Sequence, residues 1–433
     1  MARKLIATAA LVLTLAACAG DETTTIRLLV FGDPEEVAAL RQVAAAYQEQ
    51  ASGTDVQLIE ASDRSDLIAR LSTSIAAGNP PDVFLMNYRY YGQFAAKDAI
   101  EPVESRLDDP DDLDKDAFYP QALEAFRWQG EQLCMPQNVS SLVVYYNRDL
   151  FRRAGVALPR RGWRTSDLVA SALRLTLDAN GASVTAQDPD AGGGGNPTAV
   201  HGLGIEPSLI RLAPLVWSAG GELVDDDAHP TRFTLDTPAA QEALEFFLSL
   251  RVVTPSDVEV EAEDLESRFA NGRLAMLLSS RRSTPTFRTI RDFEWDVAPL
   301  PVFRKPAGIL HSDAYCITAD SDSKDAAWDF VEFAVGPEGQ RIAARTGRTV
   351  PSLRAVATSP AFLDPTKSPR SSRVFLDAVP SIRRVPSIST WPEIEDLAAP
   401  ILENGLYLGW SPERVAQELD QATRDAFARG EGP

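Results

Sequence analysis

Hydrophobic spacing along the first ninety residues alternates between two periods. Ile26 to Phe31 is a continuous apolar run of strand type, and Asp33–Pro34–Glu35 is a helix start, with a capping Asp and a Pro in the first turn. Val37, Leu40, Val43 and Tyr47 then recur at helical spacing. A second strand is predicted at Val56 to Ile59. A helix carrying Leu67, Leu71 and Ile75 follows and stops at Gly78. Asn79–Pro80–Pro81 is a rigid turn into Asp82 to Met86, an apolar run suited to a central parallel strand. Strand, helix, strand, helix, strand defines an open α/β sheet, which binds ligands beyond the carboxyl ends of its strands. That places Phe31–Gly32–Asp33 and Asn87–Tyr88 at the ligand edge.

The stretch Gln132 to Gly155 reads differently. Leu133–Cys134–Met135 meets Pro136 and the polar residues Asn138, Ser140 and Ser141. A second run, Leu142 to Tyr146, then leads to Asn147 and a short amphipathic helix ended by Gly155. Proline is excluded from the middle of a central strand because it donates no ladder hydrogen bond. The chain is therefore expected to leave one sheet near Pro136 and enter another near Leu142, as a hinge crossing. Helices are expected at Thr165 to Leu177, Leu209 to Ser218 (broken by Gly220–Gly221), from Asp236–Thr237–Pro238 onward, and at Leu265 to Ala270. A strand at Leu274 to Leu278 runs into Ser279–Ser280–Arg281–Arg282. Ile309 to Thr318 reads as a return crossing, Ala326 to Val335 as an amphipathic helix, Arg383 to Trp391 as a third crossing and Pro412 to Ala428 as a last helix. Asn180 to Val200, with Gly192 to Gly195, reads as a mobile loop. A phosphate-cradling loop would need Gly-Lys-Ser/Thr after its glycines, and Asn196–Pro197 stands there instead.

The N-terminus changes the picture of where the chain works. Arg3 and Lys4 precede the uncharged run Leu5 to Ala17, too short for a permanent span of about 20 apolar residues. Leu15–Ala16–Ala17–Cys18 looks like a bacterial lipobox, which implies removal of residues 1–17, lipidation of Cys18 and a tether over 18–25; plain secretion is the alternative. A formal net charge of −20 argues against nucleic acid and anionic lipid as partners. His201, His229 and His311 are scattered and form no metal cluster, and neither a triad wording nor Gly-x-Ser-x-Gly occurs.

The wording of several segments resembles one family. Pro136, Tyr146–Asn147 and Asp149–Leu150–Phe151 are similar to the inter-lobe segment of the extracellular solute-binding proteins that serve ABC importers, the group containing maltose-binding protein. Trp217 to Leu223 resembles that family's Trp-x-x-Gly-Gly turn, and Phe269 to Met276 its helix-Gly-strand wording. Ala326–Trp328–Phe330–Val331 and Val350–Pro351 resemble later parts, all in the family's order. The resemblance implies a two-lobed periplasmic-binding-protein-like α/β fold of type II. The N-terminal lobe would comprise 26–136 and 317–382, and the C-terminal lobe 137–316 and 383–433. It further implies a monomer with no cofactor and no catalytic role, which captures a carbohydrate between the lobes and presents it to the membrane subunits of an ABC permease. The chain would touch the membrane only through its lipid. One departure bears on specificity: where many relatives have Gly and Trp, this chain has Ser279, Ser280, Arg281 and Arg282.

A sugar offers an apolar ring face edged by hydroxyls, which calls for flat aromatics with carboxylates, amides and Arg around them. Trp391 resembles the stacking Trp of sugar-binding relatives, and Trp217, beside Gly220, has a similar candidacy; core packing is the alternative for both. One of Tyr88, Tyr90 and Tyr91 is expected to reach the cleft. Asp82 is a candidate ligand or a cap, and Asp33 is read as a cap. Asn138 and Ser140 lie on the crossing, and Arg281 and Arg282 could grip a carboxylate or phosphate. Tyr315 and Arg348 complete the set. Cys134 and Cys316 fall on the two crossings, where a disulfide would staple the hinge; two free thiols are the alternative. Two other solute classes or roles remain open: a phosphorylated or carboxylated small solute such as a glycerol phosphate, and the ligand-binding subunit of a sensor. An exported glycoside hydrolase is a further alternative and would need two carboxylates about 5–5.5 or 6.5–9.5 Å apart.

Overall fold

The structure, a computed structural model, describes residues 23–51, 53–108, 113–184 and 198–433. The leader with Cys18 and most of the expected glycine loop lie outside the described residues.

The chain begins with β1 (Thr24–Val30), α1 (Pro34–Gln50), β2 (Thr54–Glu60), α2 (Arg64–Ala76), β3 (Val83–Asn87) and α3 (Tyr88–Ala95). Caps set the helix starts: Asp33 accepts from the Glu36 backbone N–H at 3.1 Å, and Asn87 takes the same role for α3. After β4 (Cys134–Pro136) the chain crosses and forms β5 (Val143–Asn147). Asn147 caps the next helix by accepting from the N–H groups of Asp149 and Leu150. Helices α4 (Leu209–Ala219) and α5 (Pro238–Ser249) lead to β6 (Met276–Ser279) and β7 (Trp295–Ala298). The return is β8 (Asp313–Ile317), followed by α6 (Lys324–Val335) and α7 (Pro337–Thr346). Helices α8 (Trp391–Leu408) and α9 (Pro412–Arg429) close the chain.

Two sheets result. The first has the order β2-β1-β3-β8-β4, with β1, β2 and β3 parallel and β8 antiparallel to both β3 and β4. The second has β5 between β6 and β7, both antiparallel to it, and is extended by bridges from His201 and Gly204 to the β6 segment. Strands β3 and β5 are buried along their whole length, which is why both read as unbroken apolar runs rather than alternating ones.

Three segments differ from the sequence expectation. Strand β8 lies in the first sheet along its whole length, from Asp313 opposite Asn87 to Ile317 opposite Val83. A lobe boundary at 316/317 therefore cuts a strand, and the return crossing falls just ahead of Asp313. The stretch assigned to the first lobe up to residue 382 also leaves it early. Ser371 donates its hydroxyl to Asp296 of β7 at 2.8 Å, and Ser372 accepts from Arg281 at 3.1 Å. Trp391, expected to close a crossing, instead opens α8, with Pro392 in its first turn and Ile394, Ala398, Leu402 and Leu406 buried at four-residue spacing.

Cys134 and Cys316 are directly opposed on β4 and β8 and joined as a disulfide across 182 residues of sequence. β4 is a three-residue edge strand, so the bond holds an element that has few ladder hydrogen bonds of its own. Replacing both cysteines by Ser should cost roughly 2–5 kcal/mol, through greater freedom of the unfolded chain. Urea unfolding of the oxidised protein against the double variant measures this. An unchanged midpoint would mean that β4 is held by packing alone.

Candidate functional site

The three crossings are hydrogen-bonded to one another. Ser140 and His311 exchange reciprocal N–H···O=C bonds of 2.9 Å, and Leu310 donates its N–H to the Arg383 carbonyl at 2.8 Å. Gly308–Ile309 pairs in parallel with Ile382–Arg383. Side chains reinforce the joint: Ser312 donates to the Asn138 carbonyl at 2.6 Å, and the Asn138 side-chain oxygen accepts from the Asp313 N–H at 2.9 Å.

Around this joint lies a cavity of about 270 Å³ built by both lobes. Phe31 and Asn87 reach it from the carboxyl ends of β1 and β3, and Ser280 to Arg282 reach it from the end of β6. Glu206 and Arg211 enter from the approach to α4 and its first turn. Asn138, Ser140, His311 and Asp313 form the crossing side. A larger cavity of about 590 Å³, lined by Leu142, Tyr146, Val297 and Val374, draws on the second lobe and the 371–381 segment. Of the two, only the smaller one joins the strand ends of the first sheet to the second lobe, the position that α/β sheets reserve for ligands.

Its lining is dominated by charge, with six arginines against three carboxylates. Arg348 pairs with Asp33 and Glu36. Burial pushes the Glu36 carboxyl up to about 7, against the opposing pull of Arg348. Arg89 pairs with Glu395, Arg211 with Glu206 at 2.8 Å and Arg282 with Glu266 at 3.0 Å. The Asn87 amide donates to Asp313 at 3.1 Å. Among the described residues Arg64 has no carboxylate within ion-pair distance; its guanidinium lies 4.6 Å from the Tyr90 ring centroid and 5.2 Å from that of Phe31. Burial, together with the positive charges of Arg211, Arg89, Arg282 and Arg64, holds the His311 imidazole well below its ordinary value.

Of the residues singled out from sequence, Asn138, Ser140, Arg281, Arg282 and Arg348 line this cavity. Arg281 is nevertheless held elsewhere. It is 1% exposed, donates to the Gly347 carbonyl at 2.6 Å and stacks against Phe362 and Phe375, and burial lowers its proton affinity to about 9. Trp391 does not line the cavity: it is fully buried beside Phe233 and Phe427 and donates its indole N–H to Glu395 at 2.9 Å. Trp217 is buried under the Arg383 guanidinium, and Gly220 is the left-handed cap that ends α4 behind it. Tyr88 is buried with its hydroxyl accepting from the Val385 N–H, and Tyr91 donates to the Arg127 carbonyl. Tyr315 is buried, where its hydroxyl accepts from Gln137. Asp82 precedes β3, at the strand end away from the cavity, and accepts from the Arg27 N–H and the Ser321 hydroxyl. Arg64, Arg89, Glu206, Arg211 and Asp313 were missed. Arg64 and Arg89 open helices just beyond β2 and β3, so the rule of carboxyl ends would have found those two. Asp313 opens the antiparallel β8, and Glu206 and Arg211 follow an isolated bridge at Gly204, where that rule gives no signal.

The model of the bacterial extracellular solute-binding protein family matches residues 32–341, and the chain belongs to that family. It is similar to the maltotriose-binding protein of Pyrococcus abyssi, with 24% identity over 76% of this chain and 66% of that one. It is likewise similar to the mannitol-binding protein of Pseudomonas aeruginosa, with 24% identity over 92% of this chain and 90% of that one. An ABC substrate-binding protein of Listeria monocytogenes in complex with cycloalternan superimposes with a TM-score of 0.81 at 25% identity, covering 93% of this chain and 99% of that one. The fold is thus the two-lobed type II periplasmic-binding-protein fold, with open sheets in a mixed α/β framework. Among the described residues no helix is long and apolar enough to cross a membrane, and no group of acidic, His and Cys side chains could hold a metal ion.

The depressed His311 gives a stability test. The unfolded imidazole takes up a proton first as pH falls, so the native state should lose stability below about pH 6.5, the unfolded value. Unfolding free energies measured from pH 7.5 to 5 should decline more steeply for the natural chain than for His311→Asn. Parallel curves would place His311 in an ordinary solvated environment.

Proposed function

We propose that this chain is the substrate-binding component of an ABC importer, exported and held at the outer face of the cytoplasmic membrane by lipid on Cys18. It captures a carbohydrate in the cleft and delivers it to a permease. The observation that carries this reading is the cavity itself, whose walls come from both lobes and whose crossing side is formed by Asn138, Ser140, His311 and Asp313 of the paired joint. A solute that touches both walls favours the closed arrangement by the difference in its affinity for the two states. The sugar-binding names of the relatives support the substrate class. The polar lining of Asn87, Asn138 and Ser140 beside Phe31 suits a hydroxyl-rich ring.

Turnover is not part of this reading. Glu36 pairs with Arg348, Glu206 with Arg211, and Asp313 accepts from Asn87, so each carboxyl group of the lining is engaged within the protein rather than set as a free pair across a glycosidic bond. The protein works as a monomer in this scheme, with its lipid as the membrane contact.

Calorimetric titration with a panel of mono- and oligosaccharides is expected to give one-site binding, with the radius of gyration falling in solution scattering as the lobes close. Deleting the gene should abolish uptake of the same sugar. Uptake that persists, or a saccharide panel that leaves both heat and scattering unchanged, would refute the assignment. Mass spectrometry of the native protein should show a lipid-modified N-terminal Cys18, absent in Cys18→Ser.

A further inference from the structure

The solute's charge is the property on which the lining bears most directly. Four arginines meet around His311: Arg64 and Arg89 from the first lobe, Arg211 and Arg282 from the second. Two of them are already matched. Arg89 has Glu395, and Arg282, near the rim, has Glu266. The other two retain unused donors. Arg211 is 3% exposed and spends one terminal nitrogen on Glu206, while its Nε and other terminal nitrogen have no hydrogen-bond partner. Arg64 donates to the Tyr90 hydroxyl at 3.3 Å and, among the described residues, faces no carboxylate within ion-pair distance and has an unpartnered Nε. His311 adds an unpartnered Nε2.

Each buried donor left unsatisfied costs about 1–3 kcal/mol, more where it is charged. A sugar hydroxyl can accept a hydrogen bond but brings no charge against Arg64 and Arg211. A carboxylate or phosphate brings several acceptor sites at once, matches the planar guanidinium fork, offers acceptors to the unused nitrogens of Arg211 beside its Glu206 bond, and supplies the negative charge that Arg64 lacks. The acidic exterior does not outweigh this. At physiological salt the field of distant charges is screened over about 8 Å, whereas partly buried arginines at contact are screened far less.

We propose that the captured carbohydrate carries an anionic group, a carboxylate or a phosphate, seated between Arg64 and Arg211 beside His311 and so gripped by both lobes. This rests on the importer reading above and narrows its substrate class to acidic sugars. Arg281 takes no part, because its guanidinium is spent on Gly347, Ser372 and two phenylalanine rings.

The test uses the full mature chain and matched pairs of probes. These are galacturonic acid against galactose, glucose 6-phosphate against glucose, and glycerol phosphate against glycerol, each by calorimetry. Inorganic phosphate is compared with chloride at equal ionic strength by thermal shift. The acidic member of at least one pair should bind tenfold or more tightly than its neutral partner, and phosphate should raise the melting temperature where chloride does not. The uronate and phosphate arms separate the two sources of charge. Arg64→Met, at a partly exposed helix start, should weaken acid binding on the order of 10–100-fold and erase the discrimination. Arg211→Met should do the same, and Arg64→Met decides alone if the buried variant fails to fold. Neutral partners binding as tightly as acidic ones, phosphate acting like chloride, or Arg64→Met binding acids like the natural chain would each overturn the proposal. Glycerol phosphate or inorganic phosphate binding with no saccharide bound would keep the anion site and remove the carbohydrate reading. Neutral saccharides binding alone would do the reverse.

Discussion

The pairing of the crossing segments is the constraint from which the rest of the structure follows. Three separate stretches of chain must pass between the lobes, and each carries backbone donors and acceptors that cannot be buried unpaired. They satisfy one another: Ser140 with His311, Leu310 with Arg383, and Gly308–Ile309 with Ile382–Arg383. The joint is therefore narrow and held by few bonds, whereas each sheet on either side has a continuous ladder and a buried apolar core. A structure of that kind resists deformation within the lobes and concentrates rotation at the joint. The same pairing brings Asn138, Ser140, His311 and Asp313 to the cavity, so the hinge and the crossing side of the site are one object.

Several aromatics that would suit a sugar ring instead hold this joint in place. Tyr88 docks the third crossing through the Val385 N–H, and Trp217 lies under Arg383, whose guanidinium is also tied to Glu222 and Asp227. Trp391 fixes Glu395, which in turn fixes Arg89 against the cavity. Each ring stands behind the lining: Tyr88 and Trp217 hold the third crossing, and Trp391, through Glu395, orients Arg89, which does reach the cavity. Gly92 belongs to the same layer: a Cβ there would run into the Ser387 carbonyl, so only glycine lets the third crossing lie this close to α3.

Much of the fold was legible because the buried strands and capped helices carry short-range signals. Ile26 to Phe31, the Asp33–Pro34 start and the apolar run at Val83 to Met86 each sit within a residue or two of the element they predicted. The lobe boundary was less legible, since a strand such as Asp313–Ile317 reads the same whether it pairs in the first sheet or leads out of it; register is a property of the partner, not of the strand. Helix α8 was not anticipated: Arg383 to Trp391 read as a third crossing, whereas Trp391 opens the helix with Pro392 in its first turn, where no donor is lost. The site was half legible. Asn138, Ser140 and Arg282 could be placed from the crossing and from the end of β6. Whether Trp391 or Arg211 faced the cavity could not, because orientation about a helix axis depends on which neighbours the helix packs against.

The contrast between exterior and interior charge carries the last step. A chain with a formal net charge of −20 has carboxylate to spare, yet the cavity lining holds twice as many arginines as acids. Burying a guanidinium costs several kcal/mol unless it is paired, so an unpaired buried arginine is retained only where something else offsets that cost. For Arg281 the offset is visible, in the Gly347 carbonyl and the faces of Phe362 and Phe375. For Arg348 it is the Asp33 and Glu36 carboxylates. For buried Arg211 it is one half-exposed glutamate, and for the partly exposed Arg64 two aromatic faces and the Tyr90 hydroxyl, which among the described residues leaves donors over on both sides of the hinge. Because one lies on each lobe, a single anion that completed both, as proposed above, would span the joint and favour the closed arrangement by its difference in affinity. Recognition and closure then draw on the same few nitrogen atoms.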